Sequence, residues 1–471
     1  MKLTLAEAAI GAGAVLEAPS SFVNAGGLVV SGYSIDSRTV GSGNLFFAVR
    51  GEHLDGHDFV AAALARGAVA AVVSRARVAT LPDAALGMPL LIAEDSLLAL
   101  QSLALHVRRQ WGKRVVAITG SAGKTTTKEA IAVALAAKFT VLKSQGNLNN
   151  SFGMPLQLLR LEPEHEIAVV EMGMNHSGEI AALCRIATPD WGVVTNVGTA
   201  HIENFVEGQA GIARAKLEIV TALPATGVAF LNCCDPYVSQ FGRDFPGRVV
   251  YFGEGPCADP QIVSVTEDLS GLHVNYRAAD REGTFTLQLL GEHNASNAIA
   301  GLAVALEAGV DLDAAVAALE TLTPGDKRGE VIEIGGATIL NDSYNSNPEA
   351  LRSMIRTLAA RPADGRRILV VGEMLEQGEH GPDLHTACGL TAAEAGLDLV
   401  AGVQGNARYL AAAACSGGVA SLYLPNAEAA GQWLIQNLRP GDVVLVKGSR
   451  GVHLERAIDA LKNQFKTSES K

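Results

Sequence analysis

The chain has 471 residues, 48 % hydrophobic and 18 % charged, enough apolar material for several cores and too few charges for a disordered chain. A net charge of −12 with no long Lys/Arg run argues against a protein that coats DNA or RNA, which needs a basic face. The six cysteines (184, 233, 234, 257, 388 and 415) form no C-x-x-C pair and no zinc spacing, and scattered thiols in a long chain fit a reducing, cytoplasmic setting.

The Ala-rich start has Lys2 as its only basic residue and is interrupted by Glu7, so it reads as a helix rather than a signal peptide. No uncharged apolar run is long enough to span a bilayer. At roughly 150 residues per domain the length predicts about three α/β domains. In residues 1–110, strands are expected at 28–35, 44–49 and 68–73, and helices at 59–66 and 96–109. In residues 111–326, the apolar runs 115–119, 167–170 and 193–197 do not alternate, as suits parallel strands buried on both faces. Ligands bind beyond the carboxyl ends of such strands, so the groups that follow these runs should converge: a glycine loop, Glu171 and His201. Residues 230–290 are less regular, 291–308 read as a helix, and TPGDKRG at 323–329 reads as a linker. Residues 327–471 begin a second α/β pattern, with strands at 337–340, 368–371 and 443–446. A helix is expected to start at Pro348 with Asn347 as its cap, and the polar end 466–471 is expected to fray.

Residues 114–130 read RVVAITGSAGKTTTKEA, a strand running into Gly120, Ser121, Ala122, Gly123, Lys124, Thr125 and Thr126 and then a helix. Glycines let backbone N–H groups curl around phosphate oxygens, the helix N-terminus adds partial positive charge, Lys124 can neutralise the outer phosphates, and Thr125 can offer its hydroxyl to magnesium. The usual spacing has glycine where this chain has Ile118, so the loop is a tighter G-x-x-G-K-T form. A carboxylate at the end of a buried strand has no packing role, which favours Glu171 as a magnesium ligand over a helix cap before Gly173. Histidine is an unusual magnesium ligand, and the residues alone leave His201 open between a metal site and a hydrogen-bonded core. Composition alone makes Lys216, on a predicted helix, a surface lysine paired with an acid.

GSAGKTTTKE, EMGMNHSGEI, NVGTAHIENF, ARAKLEI, GEHNASNAIA and KGSRG occur in this order, joined by NLFFAVRGEHLDGHDF, QGNLNNSFGMP, NDSYNSNPEA and GEMLEQGEHGPDLH. Over nearly its whole length the chain resembles the Mur ligases of peptidoglycan synthesis. The resemblance implies an α/β fold of three domains: a UDP-sugar-binding domain (1–110), a central P-loop mononucleotide-binding domain with a parallel sheet (111–326), and a Rossmann-like C-terminal domain (327–471). It implies ATP and Mg²⁺ as cofactors, UDP-N-acetylmuramoyl-tripeptide and D-alanyl-D-alanine as substrates, and a monomer without a nucleic-acid partner. By position, Thr125 and Glu171 become ligands of one magnesium and His201 belongs to a second site. Lys216 matches a lysine that is carbamylated in the family, which turns a cation that repels Mg²⁺ into an oxygen donor. Asn294 and Asn297 lie near the nucleotide, Arg328 reaches ATP after domain closure, and Asp342 grips the ribose. Asp36, Ser37 and Arg38 fall on the uridine-diphosphate side, and Asn147 and Asn150 on the substrate side. Tyr344, Asn345 and Asn347 fall at the active-site edge of the third domain, with Lys447 and Arg450 as cations for a carboxylate. Lys124, His201, Lys216 and Arg328 form the expected catalytic set. Competing readings are another amino-acid ligase of the same superfamily, including one that extends folate with glutamate, a P-loop nucleotide switch, a non-catalytic scaffold, and a zinc hydrolase built on His380 and His385.

Overall fold

The structure is a computed structural model and describes residues 1–469. The first helix, Leu5–Ala12, is started by a reciprocal cap in which Thr4 accepts from the backbone of Glu7 and Glu7 reaches back to Thr4. The N-terminal sheet has five strands in the order Val15–Glu17, Leu90–Ala93, Ala70–Ser74, Asn44–Phe47, Gly32–Ser34, all neighbours parallel except the first pair. The strand expected over 28–35 shrinks to Gly32–Ser34. The backbone before it is taken by the N-terminal segment, with Leu5 N bonding Leu28 O and Val30 N bonding Leu3 O.

The central sheet has nine strands. Its parallel part runs Arg248–Glu254, Val228–Asn232, Trp191–Val194, Arg114–Thr119, Ile167–Glu171, Val141–Lys143. The three apolar runs singled out in the sequence are therefore neighbours, and their side chains, among them Val116, Ile118, Val169 and Val193, are fully buried. The run expected to extend to Val197 ends at Val194, because residues 195–198 leave the sheet to brace the glycine loop. Residues 230–290, expected to be less regular, add Gln261–Asp268 in parallel beside Arg248–Glu254, then Gly271–Ala278 and Arg281–Leu287 through two antiparallel pairings. Over the sheet lie helices Lys124–Ala136 and His293–Glu307. They approach closely at Gly301, where a Cβ would stand 2.8 Å from the Ala130 backbone.

The third sheet has six strands in the order Glu330–Ile334, Ala337–Asp342, Val443–Lys447, Arg367–Gly372, Leu399–Val403, Ala420–Leu424, antiparallel only at the first pair. Asn347 caps helix Pro348–Ala360, its side chain accepting from Ala350 N at 2.8 Å. The end expected to fray is helical, Glu455–Glu469 being one helix, and residues 470 and 471 lie outside the described residues.

The cysteines differ from six scattered thiols, since Cys233 and Cys257 form a disulfide. Parallel pairing sets Asn232 beside Phe252, and the turn at 255–258 carries Cys257 back to the strand end. Among the described residues no helix is long and apolar enough to cross a membrane.

Candidate active site

The strand Arg114–Thr119 ends in the glycine loop, and the next segment of chain shapes it. Asn196 accepts from Ser121 N through its carbonyl (3.0 Å) and from Ala122 N through its side chain (2.8 Å). Thr195 Oγ1 donates to Ala122 O at 2.7 Å, and Gly198 N donates to Ser121 Oγ at 2.8 Å. Two glycines are required by close approach. A Cβ at Gly120 would lie 1.8 Å from Thr195 Oγ1, and one at Gly123, where φ is +80°, would lie 2.4 Å from Asn297 Oδ1. Helix Lys124–Ala136 starts without a side-chain cap, so its first N–H groups remain free for an anion. Lys124 Nζ folds back onto Gly120 O at 2.7 Å. Burial pushes its ammonium down from the usual lysine value, opposed by Glu171 and reinforced by Arg328.

Glu171 is buried at 3 % exposure and caps no helix. One carboxylate oxygen accepts from Thr125 Oγ1 at 3.0 Å and the other from Asn149 Nδ2 at 2.8 Å. A hydroxyl and a carboxylate thus meet at the start of the phosphate-loop helix. Asn149 was missed in the sequence, although it sits in the same NLNN run as the expected Asn147 and Asn150. Asn150 instead holds its own loop, accepting from Gly153 N at 2.9 Å.

Lys216 is not a surface lysine. It is 2 % exposed, and burial together with the charge of Lys124 holds its amine well below the usual lysine range. His201 has left-handed backbone, φ +65°, and its Nδ1 meets the carboxylate of Glu376 from the C-terminal domain. Contact with His201 holds the Glu376 carboxyl below the usual carboxylate range. Asn297 accepts from Thr127 Oγ1 (3.0 Å) and donates to Asn294 Oδ1 (2.8 Å), which fixes both asparagines beside Gly123.

From the C-terminal domain, the Arg328 guanidinium stacks 3.9 Å from the Tyr344 ring centre. Asp342 and Lys447, read as separate ligands for a ribose and a carboxylate, are instead partners in a 2.6 Å ion pair, and Lys447 also donates to Asn345 O at 2.9 Å. The cause is adjacency, since the parallel register sets Asp342 beside Lys447 across two strand ends. Arg450 pairs with Glu455 at 3.2 Å.

The phosphate loop from Ser121, Glu171, His201 and the C-terminal residues surround one cavity of about 670 Å³ between the domains, which Gly120, Lys216 and Glu376 do not line. It is lined by Ser121 to Thr126, Asn147, Asn150, Glu171, His201, Asn294, Asn297, Arg328, Asp342, Tyr344, Asn345, Asn347, Lys447 and Arg450. A second cavity of about 510 Å³ lies between the N-terminal and central domains and takes in Asp36, Tyr33, Gln157 and Arg160. Ser37 and Arg38 do not line it. Arg38 points outward, 85 % exposed, and clasps Asp36 at 2.8 Å. The zinc reading fails. Both ring nitrogens of His385 are committed, Nε2 accepting from Met374 N at 2.9 Å and Nδ1 donating to Gly381 O at 2.6 Å. Among the described residues no group of three or more metal-ligand side chains occurs. Magnesium needs no such group, because it keeps waters and takes phosphate oxygens.

A phosphate loop, a buried carboxylate beside its threonine, and cations from a second α/β domain across one cavity define an ATP-using ligase architecture. The chain matches the Mur ligase family catalytic domain over residues 29–106, the Mur ligase middle domain over 118–305, and the glutamate ligase domain of Mur ligases over 327–450. It belongs to the Mur ligase family. It is 33 % identical to the UDP-N-acetylmuramoyl-tripeptide–D-alanyl-D-alanine ligase of Bacillus subtilis (strain 168), over 92 % of this chain and 93 % of that one. It is 34 % identical to the ligase of the same name from Escherichia coli (strain K12), over 92 % and 94 %. Among solved structures it resembles MurF from Acinetobacter baumannii, with TM-score 0.87, 31 % identity and coverage of 98 % and 99 %. It also resembles MurF ligase from Thermotoga maritima in complex with ADP, with TM-score 0.79, 30 % identity and coverage of 93 % and 98 %.

Proposed function

We propose that this chain is an ATP-dependent ligase that joins UDP-N-acetylmuramoyl-tripeptide to D-alanyl-D-alanine. The observation that carries the reading is the single cavity in which Lys124, Thr125 and Glu171 of the central domain face Arg328 and Lys447 of the C-terminal domain. Residues 111–326 hold ATP. Residues 1–110 hold the nucleotide end of the sugar, with Asp36 at the cavity between the first two domains. Residues 327–471 bring the dipeptide. The cavity is complete within one chain, which supports a monomer. ATP and a nucleotide-linked precursor place the reaction in the cytoplasm.

A carboxylate does not react with an amine at neutral pH, because it is anionic and its leaving group would be oxide. Transfer of the γ-phosphoryl group to the tripeptide carboxylate gives an acyl phosphate. The dipeptide amine attacks its carbonyl carbon, the C–O bond to phosphate breaks, and the amine's proton is lost to solvent or a base. Lys124 stabilises the charge spread over the transferred group, and the free N–H groups of the helix start hold the phosphates. Arg328 reaches the same phosphates from the other domain, and docking of the two domains keeps water from the acyl phosphate. Thr125 and Glu171, which meet at 3.0 Å, would hold one magnesium, and His201 together with Lys216 in its carbamylated form would hold a second. When bound, magnesium neutralises phosphate charge. The test is phosphate release from ATP with Mg²⁺ and both substrates, omitting each component in turn. Release that requires all of them, with a new pentapeptide mass, is expected. Release without the dipeptide would leave a nucleotide switch or hydrolase in its place.

A further inference from the structure

His201 is held in a way that the phosphate loop is not. The strands and helix of its own domain support the loop before it, where Val197 N bonds Asp235 and Gly198 N bonds Ser121. From Thr199 onward the C-terminal domain adds its own support, while Ile202 and Phe205 still pack into the core of the first two domains. Glu349, in the first turn of helix Pro348–Ala360, accepts from Thr199 N at 3.1 Å and from Thr199 Oγ1 at 3.0 Å. Gly378 approaches Glu203 so closely that a Cβ on it would meet the Glu203 Cβ at 2.8 Å. Between these two contacts, the Glu376 carboxylate meets His201 Nδ1.

The Glu376 carboxylate is presented by a stiff segment. Met374 N is bound by the buried His385, Leu375 N by Ser449 Oγ, and Glu376 itself has φ +62°, a left-handed backbone that a non-glycine residue adopts only where its surroundings impose it. His201 lines the main cavity and Glu376, which contacts its Nδ1, does not. A carboxylate on one imidazole nitrogen fixes the proton there and leaves the lone pair of the other nitrogen to face a ligand.

We propose that Glu376 is the positioning residue of His201: it holds the proton on Nδ1 so that Nε2 presents its lone pair to the cavity, and it does so only while the C-terminal domain is docked. The imidazole is then a part of the site that one domain supplies and the other sets. Docking therefore completes the phosphate-binding half of the site as well as bringing the cations across. The inference rests on the reading of His201 as a group that acts toward the nucleotide and its metal.

The experiment compares Glu376→Ala, Glu376→Gln and His201→Ala in the full chain, each checked for an unchanged melting temperature. In ¹⁵N-histidine-labelled protein, the wild-type ring of residue 201, identified by its loss in His201→Ala, should be the Nδ1–H form when an ATP analogue is bound. In Glu376→Ala it should be a mixture of both tautomers. Mn²⁺ binding with the analogue present should weaken about 10-fold in Glu376→Ala. Turnover should fall about 10-fold with the KM for ATP unchanged, and Glu376→Gln, which keeps an acceptor oxygen, should recover most of both. An unaltered tautomer and unaltered Mn²⁺ affinity in Glu376→Ala would overturn the proposal while leaving the function of His201 intact. Full turnover by His201→Ala would instead remove the reading on which it rests.

Discussion

Lys216 is where the residue and its surroundings are hardest to reconcile as an ordinary lysine. An amine at 2 % exposure, with no carboxylate paired to it among the described residues and with Lys124 as a neighbouring charge, is costly as an ammonium. A carbamate at this position would remove that conflict, because it would offer oxygens to a cation instead of an ammonium. Protein prepared in ¹³C-bicarbonate should show a carbamate carbon resonance that is absent from Lys216→Arg, and that variant should lose turnover about 100-fold or more although its cation is kept. In the proposed reaction Lys124 acts on the transferred group itself. Lys124→Ala should lower turnover about 10³-fold with the melting temperature hardly changed, because the ammonium's one protein contact is a loop carbonyl. Equal turnover by the variant would sink the assignment of the loop.

At the scale of elements, the phosphate loop is a product of two strand ends. Gly120 is needed less for the turn than for the closeness of Thr195, whose hydroxyl would lie inside a methyl group placed there. Gly120→Ala should therefore fold and yet bind ATP at least about 10-fold more weakly, since the loop N–H groups lose their aim; calorimetric titration with ADP would read this. The C-terminal sheet has a different kind of anchor. Asp442, 1 % exposed at the start of Val443–Lys447, accepts from Arg366 N, Nε and Nη2 and from Arg439 N at 2.7 to 3.1 Å. Burial pushes its carboxyl up, but the hydrogen bonds and charge of Arg366 outweigh that and hold it below its ordinary 3.8. A carboxyl with a depressed folded value stabilises the fold above its unfolded value and loses that contribution as pH falls through the folded one. Asp442→Ala should cost about 2–3 kcal/mol in urea unfolding at pH 7, and the difference from wild type should shrink below pH 3.8. A constant difference down to pH 2 would remove the electrostatic account.

For the whole molecule, the question is how the second and third domains are held together. Glu349 contributes two charge-assisted hydrogen bonds across the cleft, and its remaining carboxylate oxygen is buried without a partner. Glu349→Ala should weaken docking by about 1.5–3 kcal/mol, roughly a tenfold or greater shift toward the open arrangement. Small-angle scattering with a bound ATP analogue should then report a larger radius of gyration than in wild type. An unchanged radius would show that the contact does not decide closure.

The sequence by itself determined the three α/β units, the phosphate loop and the convergence of Glu171 and His201 on the same cavity. Each rests on local signals: unbroken apolar runs mark strands buried on both faces, and glycines followed by Lys and Thr mark a strand-to-helix turn that binds phosphate. It also singled out Glu171, because a carboxylate ending a buried strand has nothing to pack against, and the structure sets that carboxylate against Thr125 in the main cavity. Only the tertiary structure decided what crosses between segments distant in the chain. Asn149 reaches Glu171, Lys216 is buried, Asp342 pairs with Lys447, and Arg38 turns outward to clasp Asp36. His201 meets Glu376, which lies far along the chain in another domain. Such facts depend on which strand ends and loops become neighbours, and that follows from sheet order and domain docking, which no periodicity within one segment encodes.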